Sequence, residues 1–188
     1  SSFVAQKNNI HNNRDYQNSL NETRAAIAVS IETHLDSLRI EEDFLLSNIF
    51  QRLGEYDSAQ TYLKETTELS KGLGNKQLER RAGIAMAEFL AMMEEWDEAI
   101  SIISTIATTS RFFSDSTSLY ASLKLLSRAY HATGQYTAEI KILGELEKLD
   151  SVVNRHGNTA EILEARLSAA ISVRDADRAD EAFGYCIQ

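Results

Sequence analysis

A short motif returns in this chain at a spacing of 40 residues, and that repetition limits the fold more than any other feature. Three segments align: Gly54-Glu55-Tyr56-Asp57-Ser58-Ala59, Glu94-Glu95-Trp96-Asp97-Glu98-Ala99 and Gly134-Gln135-Tyr136-Thr137-Ala138-Glu139. One spacing earlier stands Tyr16, in Arg14-Asp15-Tyr16-Gln17-Asn18-Ser19; one spacing later stands Ala176, in Arg174-Asp175-Ala176-Asp177-Arg178-Ala179. Five turns thus share one register, and four of them carry an aromatic residue. Repeats of about 20 to 50 residues mark arrays in which each unit buries its apolar face against its neighbours.

Each turn lies between two segments of helical period. Before the turns come Leu46, Met86 and Leu126, then Phe50, Leu90 and Tyr130; after them come Leu63, Ile103, Leu143 and Phe183. Apolar spacings of three and four residues put these side chains on one face of a helix. Proline is absent and the chain has only eight glycines, so little interrupts helix interiors. The pattern predicts helices over 39–53, 56–71, 77–93, 96–109, 116–133, 136–152, 158–173 and 176–187, after an earlier one over 15–36. Asp57, Asp97 and Asp177 fall in first turns, where a carboxylate faces the positive helix end. Helix stops are read at Gly72-Leu73-Gly74-Asn75, Ser114-Asp115-Ser116 and Asn154 to Asn158 with Gly157. The expected fold is all-α, an array of antiparallel helix pairs over 1–188, with units near 1–36 (partial), 39–73, 77–112, 116–153 and 158–188. The start without methionine and the end inside a helical pattern read as a fragment of a longer protein.

A small residue, then Gly-x-Tyr-x-x-Ala, then a large apolar residue four later resembles the tetratricopeptide repeat (TPR). Ser47 and Ala87 precede the turns, and Ala59 and Ala99 follow them. Small side chains there let the two helices of a pair approach closely. The resemblance covers residues 14 to 188 and is strongest in the units turning at 54 and 94. Glu139 departs from it by standing in the small position of the third unit, and Arg166 and Leu167 depart from it in the fourth. A 40-residue spacing exceeds the usual repeat of about 34. It is similar to TPR variants of kinesin light chain, of cell-polarity adaptors, and of bacterial sensor kinases and transcription regulators. The resemblance implies a right-handed α-α superhelix whose first helices line a concave side.

Little else in the chain points to chemistry. Net charge is −9 with four histidines, His11, His34, His131 and His156, none at metal-ligand spacing. No metal or cofactor is expected. The acidic balance disfavours nucleic acid, which needs clustered cations. The single Cys186 reads as a small core side chain without a poised base. Gly72-Leu73-Gly74-Asn75-Lys76 follows a helix rather than a strand, so it reads as a turn and not a phosphate loop. Adjacent carboxylates such as Glu41-Glu42-Asp43 diverge around a helix and cannot act as a dyad. Tyr16, Tyr56, Trp96 and Tyr136 are expected to pack within their own helix pairs. No catalytic residue is named, and the chain is read as a non-enzyme. No apolar run nears the roughly 20 residues of a membrane span, so no membrane insertion is expected. The expected location is the cytoplasm, or the periplasm if the fragment belongs to a membrane sensor.

On the implied concave side, the candidate partner-binding residues are Phe44, Asn48, Arg52, Arg81, Ile84, Glu88, Lys124, Arg128 and His131. Lys124 and Arg128 are one helical turn apart and share a face. Such a zone suits a protein or peptide partner with acidic groups. The carboxylate clamp of chaperone-adaptor TPRs is not reproduced, because Phe44, Ala85 and Leu125 stand where that clamp is polar and only Asn48 matches. Two functions follow: a scaffold that holds a partner peptide or helix, and a sensory or regulatory domain of a transcription regulator or signalling kinase. The terminal pairs lack polar caps, which leaves self-association through open ends as a further expectation.

Overall fold

The computed structural model describes residues 15–29, 36–153 and 159–186, and every described element is an α-helix. Helix α1 covers 15–29. It is followed by α2 (Asp36–Leu53), α3 (Tyr56–Gly72), α4 (Lys76–Met92), α5 (Trp96–Phe112), α6 (Ser116–Ala132), α7 (Tyr136–Val153) and α8 (Thr159–Cys186). His11, His34, His156 and the Asn154–Asn158 loop lie outside the described residues.

The connections explain why the helices end where they do. Gly54, Gly74, Glu94, Ser114 and Gly134 all adopt positive φ, between 54° and 78°. After α2, the Gly54 N–H donates to Gln51 O and the Glu55 N–H to Phe50 O; after α6, Gly134 donates to His131 O and Gln135 to Tyr130 O. Glu94, Glu95, Ser114 and Asp115 repeat the pattern after α4 and α5. One left-handed residue thus turns the chain while satisfying carbonyls that the helix end would strand. The two kinds of turn differ in how the next helix starts. Asn75 Oδ1 accepts from the N–H groups of Gln77 and Leu78, and Asp115 Oδ1 from that of Ser118. Ahead of α3 and α5, Glu55 and Glu95 form no side-chain cap, and Asp57 and Asp97 supply first-turn carboxylates instead.

The chain divides into two compact units, Ser1–Met86 and Ala87–Gln188. In the first, α2 packs on α3. Ile40, Leu46, Ile49, Phe50, Ala59 and Leu63 are buried, and the Phe50 and Tyr62 rings stack with centroids 5.5 Å apart. In the second, α5 packs on α6, α6 on α7 and α7 on α8. Leu123, Leu143, Leu146 and Ile162 form a core there, flanked by Leu119, Tyr120, Ile142, Leu149 and Ala165. The small residues Ser47, Ala59, Ala87 and Ala99 are all buried, as a close helix approach requires.

Two expectations change. The helices expected over 158–173 and 176–187 are one 28-residue helix, α8, whereas the helices from α2 to α7 have 17 or 18 residues. At Arg174-Asp175-Ala176 no glycine accepts a left-handed backbone and no aromatic follows to pack the turn, so the helix runs on. The aromatics also behave unequally. Tyr136 meets the His131 ring edge-on within the α6–α7 pair, but Tyr56 is exposed, and the Tyr16 hydroxyl accepts from Arg52 of α2 at 3.2 Å.

Candidate functional site

In the first unit the candidate residues largely satisfy one another. Both terminal guanidinium nitrogens of Arg81, Nη1 and Nη2, donate to the Glu41 carboxylate, and the same guanidinium lies 4.5 Å from the centre of the Phe44 ring. A cation over an aromatic face is attracted by the ring quadrupole. Phe44 is therefore covered, and Arg81 is held on both sides. The Asn48 amide turns back to its own helix, donating to Phe44 O at 3.0 Å. Arg52 is exposed and donates to Tyr16. Ile84 is half-buried on α4. The basic zone of this unit is thus spent mainly on internal contacts.

The second unit is different. Lys124, Arg128 and His131 are exposed along one face of α6. Lys124 has no ion pair among the described residues. Arg128 and His131 line a cleft of about 420 Å³ that is completed by Trp96, Ser127, Glu139, Ala165 and Ser168. Four elements supply the lining: Trp96 opens α5, Glu139 lies on α7, Ala165 and Ser168 on α8, and the rest on α6. The helix period explains the division of α8, since Ile162 and Ala169 are buried on one face while Ala165 and Ser168 turn to the cleft.

At the inner wall, Glu139 is only 2% exposed and its Oε2 lies 3.1 Å from His131 Nδ1. Position 139 aligns with Ala59 and Ala99, so a carboxylate replaces a methyl group at a close helix contact. Its hydrogen bond with the imidazole makes that burial tolerable. On α4, the carboxyl of Glu88 is held above its ordinary value, chiefly by loss of water around it, with Arg128 acting in the opposite direction. The cleft therefore presents the Arg128 guanidinium and the exposed His131 ring at its rim, with the buried Glu139 carboxylate on its inner wall, beside the indole of Trp96. It offers charge and hydrogen bonds to a polar ligand, and among the described residues no group of three or more His, Cys, Asp or Glu could hold a metal ion.

Of the residues expected on the concave side, Arg128 and His131 line this cleft, while Trp96, Ser127 and Glu139 were not among them. Glu139 carried a visible signal, because it broke the small-residue pattern. Trp96 did not, because its turn position alone accounts for an aromatic there.

The family model described as SusR N-terminal TPR domain matches residues 44–178. Tetratricopeptide repeat protein 29 of Trypanosoma brucei brucei is 25% identical over 111 residues, or 58% of this chain. The match spans 23% of that relative's length. Among solved structures, a Podosopora anserina chain described as kinesin light chain, nearly identical TPR-like repeats, superposes with a TM-score of 0.71 at 16% identity. That superposition covers 96% of this chain and 89% of the other. Its Q17M variant gives the same TM-score and identity over 97% and 89%. At that identity the structural likeness establishes the fold, an all-helical TPR-like solenoid. No helix among the described residues is long and apolar enough to cross a membrane.

Proposed function

Because the chain belongs to the SusR N-terminal TPR domain family, we propose that it is a non-enzymatic scaffold that holds a peptide or helix of a partner protein. Repeats of this kind generally serve protein–protein recognition, through surfaces built up by stacked helices. One observation carries the finer reading: Lys124, Arg128 and His131 stand exposed on one face of α6, two of them on the rim of the α5–α8 cleft. A partner with acidic side chains, or with a terminal carboxylate, would meet charge-assisted donors there while its apolar side chains lie against Trp96 and Ala165. The first-unit residues Phe44, Asn48, Arg52, Arg81, Ile84 and Glu88 of the second unit would serve as secondary contacts, because most of their polar groups already have partners.

The test is selection of binders from a displayed library of acidic helical peptides. Lys124→Glu with Arg128→Glu should weaken the selected peptides by about 10- to 100-fold, the worth of one or two charged hydrogen bonds. Equal affinity for the double variant would remove this reading.

A second reading is favoured by the family description, which names an N-terminal domain. In it, the same surface belongs to a sensory or regulatory domain, and occupancy is passed to a neighbouring domain of the parent protein. Small-angle scattering of the chain with and without a selected peptide separates the two. An unchanged profile rules against a conformational signal.

A further inference from the structure

Helix α8 presents three faces of different character. Ile162 and Ala169 are buried, and Ala165 and Ser168 line the cleft. On the third face Leu163, Leu167 and Ile171 are 47%, 64% and 43% exposed, spaced four residues apart. Their neighbours in register show what such a face ordinarily meets. Leu163 and Leu167 align with Leu123 and Ser127 of α6, both buried in a unit where α7 packs on α6. The bare row is thus the side on which a first helix receives the second helix of its pair.

The segment with the matching register is present in the sequence. Asp177, Ala179 and Phe183 align with Asp57, Ala59 and Leu63, and with Asp97, Ala99 and Ile103. Backbone geometry keeps this segment from turning back, since α8 passes through Arg174 without the left-handed residue that ends α2, α4 and α6.

We infer that this face is a self-association surface, on which a second copy of the chain lays the 176–186 half of its own α8 in an antiparallel exchange of α8 helices. A two-fold axis near residue 174 sets the 163–171 stretch of each helix along the later half of the other. The exchanged contacts are those that a hairpin would make within one chain, which is the condition for domain swapping at low cost. The straight helix avoids the left-handed strain that arginine would carry at the turn. This surface is separate from the cleft, so the inference stands independently of the partner-binding reading.

Sedimentation equilibrium of the 188-residue chain should show a reversible monomer–dimer equilibrium. Leu167→Glu, at an exposed position, should weaken it by about two orders of magnitude, because the two-fold places the change twice. Arg174→Gly supplies the missing turn residue and should shift the chain to monomer with helix content unchanged by circular dichroism. A wild-type chain that stays monomeric at all concentrations overturns the inference. So does a dimer that is indifferent to Leu167→Glu, or one that is indifferent to Arg174→Gly.

Discussion

At the scale of single residues, buried carboxylates carry most of the information. Asp43 is 1% exposed on α2, with Arg39 Nε 3.9 Å from its Oδ2 and no hydrogen bond to either atom among the described residues. Burial raises its pKa from 3.8 to about 6, with Arg39 opposing and Glu65 and Glu42 adding to the rise. An acid whose folded pKa is raised binds its proton more tightly in the folded chain. Its contribution is therefore fully present below pH 3.8 and is lost as pH rises through about 6. Asp43→Asn keeps the shape without the charge. It should stabilise the first unit at neutral pH by on the order of 2 kcal/mol and flatten the stability change between pH 4 and 6. Chemical denaturation at several pH values checks this; an unchanged slope in that window would show that Asp43 is already well compensated. Glu145 behaves in the opposite sense. The Arg111 guanidinium, donating at 2.6 and 2.7 Å, lowers its pKa, so its contribution is lost as pH falls below the ordinary glutamate range. The sequence marked Glu139 as a departure, but only the fold paired it with His131.

At the scale of the element, the turn residue decides where a helix stops. Gly54, Glu94 and Gly134 occupy aligned positions and share positive φ, yet only two are glycine. No heavy atom approaches within 4 Å of a Cβ built on Gly54 or Gly134, so substitution there meets backbone strain alone. Gly134→Ala should cost about 1 kcal/mol, and Glu94→Gly should gain up to about 1 kcal/mol by removing left-handed strain. Thermal melts of the two variants should move in opposite directions. A destabilised Glu94→Gly would mean that the glutamate side chain contributes more than its backbone strain costs. Helix positions from α2 to α7 were legible because caps, stops and apolar spacing all lie within a few residues of each other. The fifth turn failed because register alone supported it, while its local residues, Arg174 and Asp175, offered no stop.

At the scale of the whole molecule, net charge and local charge point in different directions. The chain carries −9 overall, while the α6 face presents Lys124 and Arg128. The Debye length near physiological salt is about 8 Å, so long-range repulsion of an acidic partner is largely screened and the local cations decide recognition. Affinity for an acidic peptide should then fall as salt rises from about 0.05 to about 0.5 M, and this dependence should shrink in the Lys124→Glu, Arg128→Glu variant. An affinity that rises with salt would place the global repulsion first and shift attention from charge to the apolar walls of the cleft.

By itself the sequence determined the class of the fold, the helices from α2 to α7, their turns and the small residues at close contacts. Those features follow from spacing and turn chemistry, which act over a few residues and repeat from unit to unit. Only the tertiary structure decided which side chains remain available. Glu41 occupies Arg81 from 40 positions away, Tyr16 occupies Arg52 from 36, and Trp96 and Ser168 line one cleft built from different helices. Ion pairs, ring contacts and cleft walls depend on distances between elements, and a one-dimensional pattern carries no measure of those distances.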